Sequence, residues 1–325
     1  MTRACFVTGA LGCIGAWVVK DLLDRGETPV VFDLGDDPRR IRDLVGDQGV
    51  AAVRFVRGDL TDAEAVKVAL ANSGADRIVH LAGLQVPFCK ADPPLGAAVN
   101  VLGTIHVFEA AKALGIQRVA YASSAAVYGP PEDAAAPPDE AADCEPTTHY
   151  GVYKRANEGS ARIYFQDDGI SSAGLRPLTV YGVGRDQGLT SGPTKAMKAA
   201  VLGCGFEIPF AGATDFNYAA DVAAAFLAAA ESGPTGARVY NLHGESATVA
   251  HVLDTIRELC PTAGTLACSG PELPIPPALD GGAFTRDYPQ VRQTKLFDGI
   301  ADTLERFAAL QFAGKLRTAE LEPQA

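Results

Sequence analysis

The sequence predicts an α/β fold, a doubly wound parallel sheet with a smaller C-terminal lobe. Three observations lead there. Short apolar runs rich in branched residues alternate with helix-length segments as far as Arg176. A turn carrying Gly9, Gly12 and Gly15 joins the first run to the first helix. Beyond Arg176 the alternation gives way to Gly- and Pro-rich stretches at 182–212 and 261–282.

The expected strands are 4–8, 28–33, 52–57, 77–81, 118–123 and 172–176, and the helices between them 14–25, 62–73, 95–114 and 150–166. Each helix is long enough for a right-handed crossover between parallel strands. Gly26, Gly74 and Gly115 stand just past three helix ends, and Thr61-Asp62-Ala63-Glu64 has the pattern of a capping box. The Pro- and Ala-rich segment 129–146 reads as a surface excursion between the fifth strand and its helix. A helix over 221–231 and a strand over 238–242 return toward the main sheet, and 319–322 reads as a frayed acidic tail.

Composition narrows the function. With 325 residues, 47% hydrophobic, the chain can bury a large core and is far too apolar for disorder. A formal net charge of -11, with no basic cluster longer than Arg39-Arg40, argues against nucleic acid and anionic membranes as partners. No apolar stretch has the length of a membrane span, and Met1-Thr2-Arg3 runs straight into a strand, so a cytoplasmic protein is expected. Seven scattered cysteines show no Cys-x-x-Cys pair; they read as reduced, mostly buried thiols, with no metal site.

The first chemical signal is the loop Thr8-Gly9-Ala10-Leu11-Gly12-Cys13-Ile14-Gly15, which opens directly onto a helix. Backbone without Cβ can approach a pyrophosphate closely, and the N–H groups and dipole of the following helix favour its charge. Asp33 closes the second strand, where a carboxylate accepts hydrogen bonds from the adenosine ribose hydroxyls and repels a 2′-phosphate. NAD is therefore expected over NADP. Two alternatives stay open: Asp33 caps the next helix, or the nearby Arg39 and Arg40 receive a 2′-phosphate.

The second signal is Tyr150 and Lys154, four residues apart on one helix face. A phenol is a poor base near neutrality, but an adjacent ammonium stabilises phenolate and brings it within reach. Ser124 lies in Ser123-Ser124-Ala125-Ala126-Val127-Tyr128-Gly129, at the end of a parallel strand, where α/β sheets meet their ligands.

Together these segments make the chain resemble the extended short-chain dehydrogenase/reductase family, which includes nucleotide-sugar epimerases, dehydratases and related dehydrogenases. The motifs cover about the first 180 residues. Gly58-Asp59-Leu60 matches the family segment contacting adenine, and His80-Leu81-Ala82-Gly83 the one lining the cofactor after the fourth strand. Asn100 stands where the family has a structural and proton-relay asparagine, and Arg176-Pro177 with Val180-Tyr181-Gly182 resembles the turn beside the nicotinamide. The resemblance implies that Tyr150 is the acid/base, that Lys154 holds the ribose and lowers the tyrosine pKa, and that Ser124 orients the substrate oxygen. It places Ser123 with the cofactor, and Gln85 and Ala125 with the substrate. One departure is Tyr153, where relatives commonly carry serine; it would add an aromatic wall to the cofactor pocket. On this reading residues 1–178 form a Rossmann-type NAD-binding domain, to which 215–242 return, and 179–214 with 243–325 form the substrate-binding lobe.

Three functions compete: a dehydrogenase acting on a secondary alcohol of a sugar, sugar acid or polyol; a nucleotide-sugar 4-epimerase that retains its NAD; and a catalytically silent NAD sensor, disfavoured by the intact Ser124, Tyr150 and Lys154. Relatives acting on nucleotide sugars usually read Arg-Asp-Phe before the late helix, and that arginine holds the diphosphate. Here the segment is Thr214-Asp215-Phe216, and a threonine lacks the fork that binds phosphate bidentately. The hydroxyl-rich segment 185–194, with Arg185, Thr190 and Ser191 as substrate contacts, suits a polyol or one carboxylate, unless Arg185 pairs with Asp186. Lys195 or Arg292 could replace the missing cation. A homodimer is expected through the helices 95–114 and 150–166, which carry Val101, Ile105, Phe108, Ile163 and Tyr164 and which the family pairs across a four-helix interface.

Overall fold

A computed structural model describes residues 3–130 and 136–321. Its main sheet collects β1 (Ala4–Thr8), β2 (Thr28–Asp33), β3 (Arg54–Arg57), β4 (Arg77–His80), β5 (Arg118–Ala122), β6 (Ser171–Arg176) and a late strand, β10 (Ala237–Asn241). All pairings are parallel, in the order β10-β6-β5-β4-β1-β2-β3. Chain progression reverses between β1 and β4, which opens a crevice at their carboxyl ends. The interior strands β1 and β4 are buried on both faces; β1 is accordingly a near-continuous apolar run, while β4 buries Arg77 and His80 beside Ile78 and Val79.

Helices α1 (Cys13–Asp24), α2 (Arg39–Ala51), α3 (Ala63–Ala71), α4 (Val86–Ala91), α5 (Pro93–Ala97), α6 (Gly103–Ala113), α7 (His149–Asp168), α8 (Gly192–Val201), α9 (Ala219–Glu231), α10 (Val249–Leu259), α11 (Gly282–Asp287) and α12 (Leu296–Phe312) complete the layers. Along α1, Ala16, Trp17, Val18, Val19 and Leu22 are buried, and they join the alanine-rich α9 in one apolar cluster. Burying such side chains contributes about 1.5–3 kcal/mol each for the larger ones. Gly26, Gly74 and Gly115 follow helix ends with φ of 70°, 68° and 70°, as their positions required.

The differences from the sequence reading have local causes. Asp62, not Thr61, caps α3, accepting from the amides of Glu64 and Ala65. The expected helix 95–114 is interrupted by a π-helical turn over Ala98–Leu102. Helix α2 was not anticipated: it buries only Ile41 and is kinked at Gly46, so its apolar periodicity is faint. Of the returning segment 215–242, α9 and β10 join the main sheet, whereas 215–218 belong to β9 (Ala213–Tyr218), in a second sheet ordered β11-β9-β7 with β7 (Thr179–Tyr181) and β11 (Glu245–Thr248). A third sheet pairs β8 (Phe206–Ile208) with β12 (Leu266–Cys268).

The excursion before α7 is tied down where it is described. Tyr128 Oη donates to the Asp139 carbonyl, and Asn241 donates to that of Pro138. The tail is not frayed as far as Leu321, since Glu320 pairs with Lys198; Glu322 lies outside the described residues. The cysteines are free, but only Cys5 and Cys89 are fully buried, and Cys204 is exposed. Among the described residues no helix is long and apolar enough to cross a membrane.

Candidate active site

A cleft of about 550 Å³ follows the carboxyl ends of the sheet from Asp33 to Thr190. Its floor is the glycine loop after β1. Gly9 has φ 70°, and a Cβ there would fall 2.5 Å from the Ala82 amide nitrogen; at Gly15 it would fall 2.4 Å from Ala10 Cα. Both glycines are thus required by close packing of the loop against β4 and α1. At Gly12 a Cβ would meet only the Gly9 carbonyl, at 3.2 Å, leaving its cleft side open. No side chain caps α1, so the amides of Cys13, Ile14 and Gly15 remain available to an anion. These features fit a dinucleotide pyrophosphate.

At the end of β2, Asp33 does not cap α2, whose N-cap is Pro38. Its carboxylate accepts from Leu11 N at 3.0 Å and Gly35 N at 3.1 Å and faces the cleft beside Asp59 and Leu60. Leu11 itself is buried and contributes backbone only. Arg39 and Arg40, the alternative receptors for a 2′-phosphate, are both engaged by Asp186.

Ser123, Ser124, Ala125, Tyr150, Lys154 and Pro177 line the cleft together with Leu81, Ala82 and Gly83. Thr148 caps α7 by accepting from Gly151 N at 3.0 Å, which fixes the turn carrying Tyr150. The Lys154 ammonium lies 5.5 Å from the Tyr150 ring centre and donates to the Ala122 carbonyl at 2.8 Å. Burial pulls the Lys154 pKa down to about 8. Burial also raises the Tyr150 phenol, while its hydrogen bond with Ser124 and the charge of Arg185 pull it back.

Asn100 does not line the cleft; it shapes it. Its Oδ1 accepts from Leu84 N at 2.9 Å, and its Nδ2 donates to the Leu84 carbonyl and to Cys89 Sγ, both at 3.1 Å. The π-helical turn leaves the Asn100 carbonyl free to accept from Thr104 Oγ1 at 2.7 Å and Asn157 Nδ2 at 2.9 Å. Because Thr104 donates there, it must accept from His80 Nε2, so His80 Nδ1 accepts from Thr8. Burial, then the nearby Lys154 charge, pushes His80 down to about 3 and keeps it neutral.

Gln85, Arg185 and Thr190, the expected substrate contacts, also line the cleft. Arg185 does not pair with Asp186: its Nη2 donates to Thr190 Oγ1 at 3.0 Å, and its Nε is buried without a partner among the described residues. Three expectations are corrected. Ser191 is buried at the N-terminus of α8 and lies outside the cleft. Tyr153 gives no wall to the cofactor pocket; its hydroxyl donates to the Pro93 carbonyl and its ring stacks on His149. Lys195 lines a small hollow that shares Gly184, Arg185 and Asp186 with the cleft but does not itself line the cleft, and Arg292 lines another hollow of about 310 Å³ beside β9, so neither replaces the arginine missing at Thr214. Thr214 is buried against Thr179. The sequence reading missed Pro274 and Ile275, which reach the cleft from a distant segment with no local signal, and it weighed Arg40 and Asp186 without joining them.

A family model described as the NAD dependent epimerase/dehydratase family matches residues 5–242. UDP-glucose 4-epimerase of Mycolicibacterium smegmatis is 30% identical over 316 residues, covering 93% of this chain and 97% of that protein. An uncharacterised protein of Sinorhizobium fredii is 32% identical over 74% of this chain, which spans only 56% of that relative. The solved structure of MoeE5 in complex with UDP-glucuronic acid and NAD is 28% identical with a TM-score of 0.78, covering 93% of this chain and 98% of that one.

Proposed function

The chain belongs to the NAD dependent epimerase/dehydratase family, the extended short-chain dehydrogenase type, and within it we propose that this protein oxidises a secondary alcohol of a sugar acid or related polyol and releases NADH. The observation carrying this reading is Arg185: of the cations lining the cleft, Arg40 is paired with Asp186 and Lys154 is bonded to the Ala122 carbonyl beside Tyr150, whereas the Arg185 guanidinium has no carboxylate partner among the described residues and is placed to receive one. When bound, NAD accepts the hydride and adds a positive charge beside the phenol. Ser124 Oγ holds the reacting hydroxyl, Tyr150 Oη takes its proton, and Lys154 holds the ribose and supports the phenolate. A second reading, a nucleotide-sugar 4-epimerase with the same residues, is favoured by the near full-length similarity to UDP-glucose 4-epimerase.

Absorbance at the NADH band, followed with a panel of polyols, uronic acids and nucleotide sugars, tests both. The expected result is NADH release with a nucleotide-free acid, lost in Arg185→Met, and weak competition by uridine diphosphate. Interconversion of two nucleotide sugars without free NADH, or sub-micromolar uridine diphosphate binding, would reverse the choice.

We also propose a homodimer. Phe108 is excluded from the contact, because it is buried between Tyr121 and Tyr164, but Leu95, Leu102, Val152 and Ile163 are exposed on the segments α5 to α7. Light scattering at micromolar concentration should give twice the chain mass; a monomer mass rejects the proposal.

A further inference from the structure

Arg39 and Arg40 begin α2, and Asp186 lies in the loop after β7, separated from Arg40 by 146 positions. Their side chains meet at the edge of the cleft, which Arg40 and Asp186 line, while Arg39 and Asp186 line the small hollow beside it. Arg39 Nη2 donates to Asp186 Oδ2 at 2.9 Å; Arg40 donates from Nη2 to Oδ1 at 2.6 Å and from Nε to Oδ2 at 3.1 Å. Arg40 Nη1 also donates to the Leu11 carbonyl at 2.7 Å, while Leu11 N donates to Asp33 Oδ2 at 3.0 Å. One residue of the glycine loop thus touches both the ribose-selecting carboxylate and the guanidinium that Asp186 holds. Gly184 packs against the Arg40 stem, whose Cδ would lie in ordinary contact, 3.5 Å, with a Cβ there, and its φ of 90° is what calls for glycine. Only 11% of the Asp186 side chain is exposed, so these bonds are partly shielded from water.

We propose that Asp186 is a positioning residue for the dinucleotide. By holding Arg39 and Arg40 it fastens the adenosine end of the cleft and slows cofactor release, and it withholds from a 2′-phosphate the two guanidiniums that would otherwise receive it. The two effects share one cause. With Asp186 in place Arg40 lines the cleft with its charge offset, near Asp33 and Asp59; without it, Arg40 keeps only its bond to the Leu11 carbonyl and Arg39 only Asp37 at 3.9 Å, so both guanidiniums can turn to an added phosphate. The role concerns the dinucleotide only and stands whichever substrate the enzyme takes.

The test compares the full chain with Asp186→Asn and Asp186→Glu, measuring NAD release by stopped-flow fluorescence, the affinities for NAD and NADP, and the melting temperature of cofactor-free protein. Asp186→Asn should release NAD about tenfold faster and shift the NADP-to-NAD affinity ratio about tenfold toward NADP, while Asp186→Glu, which keeps the charge, stays within about threefold of the parent in both. Unchanged release and an unchanged ratio in folded Asp186→Asn would overturn the proposal. So would equal acceleration in both variants with the ratio fixed, since that marks a loop that is merely structural. Should Asp186→Asn fail to fold, Arg40→Met serves instead: it removes the same link from the other side, faster release is expected, and parental release overturns the proposal.

Discussion

Tyr150→Phe is expected to lower kcat by about 10²–10⁴-fold, the usual contribution of a positioned proton acceptor, while NAD affinity changes by no more than about threefold. The ring is retained, so the packing against Lys154 and the shape of the cleft persist; only the Oη that Ser124 faces is lost. On the proposed roles Lys154→Ala should impair turnover and cofactor affinity together, because it would remove both a ribose donor and the ammonium 5.5 Å from the phenol ring.

The pH profile carries a second check. Burial raises the Tyr150 phenol, so its basic form is scarce near neutrality unless positive charge is nearby. Arg185 supplies such charge throughout, and the Lys154 ammonium, 5.5 Å from the ring centre, adds to it below its pKa of about 8 and loses it above. For the parent, kcat/KM should therefore rise with pH as Tyr150 deprotonates and stop rising once Lys154 discharges. Residual activity of Tyr150→Phe should lack the rising limb. If kcat stayed within a few-fold of the parent and the limb persisted, another group would be the base.

What the sequence made legible follows from where the signals lie. The glycine loop, the strand ends and the pair Tyr150 and Lys154 are local patterns whose meaning depends on a few neighbouring positions. Interior parallel strands announce themselves because both faces are buried. Helix α2 packs on α1 with little more than Ile41 buried and was invisible for that reason. The π-helical turn around Asn100 was equally hidden, since its register change serves contacts with Thr104 and Asn157 that periodicity does not report. Arg40 and Asp186 lay in plain view, yet their sequence separation gave no reason to join them; Asp186 was instead weighed as a partner for its neighbour Arg185, which turns to Thr190.

Glu158→Gln is expected to destabilise the protein by about 3–5 kcal/mol, the usual cost of leaving one partner of a buried ion pair alone. Both side chains are nearly inaccessible, 2% exposed for Arg176 and 1% for Glu158. The Glu158 carboxylate accepts from Arg176 Nε and Nη2 at 2.7 Å each, from Ser123 Oγ at 2.6 Å and from Arg155 Nη1 at 3.0 Å, so all its bonding capacity is used. The third guanidinium nitrogen, Nη1 of Arg176, donates to Tyr128 Oη at 2.6 Å. Burial alone would lower the Arg176 pKa, but the bonds and charge of Glu158 outweigh it and hold the guanidinium firmly cationic. Glutamine keeps the shape and one acceptor, yet turns an amide donor toward a guanidinium that can only donate. For a chain of this length the loss corresponds to a fall in Tm of about 5 °C. Catalysis should suffer too, because Glu158 lies one turn beyond Lys154 on α7 and the network ties that helix to β5 and β6 beside the cleft. Pairing the change with Arg176→Met removes the stranded charge, so the double variant should recover part of the lost stability even though it has fewer hydrogen bonds. Scanning calorimetry of the two single variants and the double variant decides the matter: a shift under about 1 °C for Glu158→Gln, or strictly additive effects, would mean that the pair is not coupled.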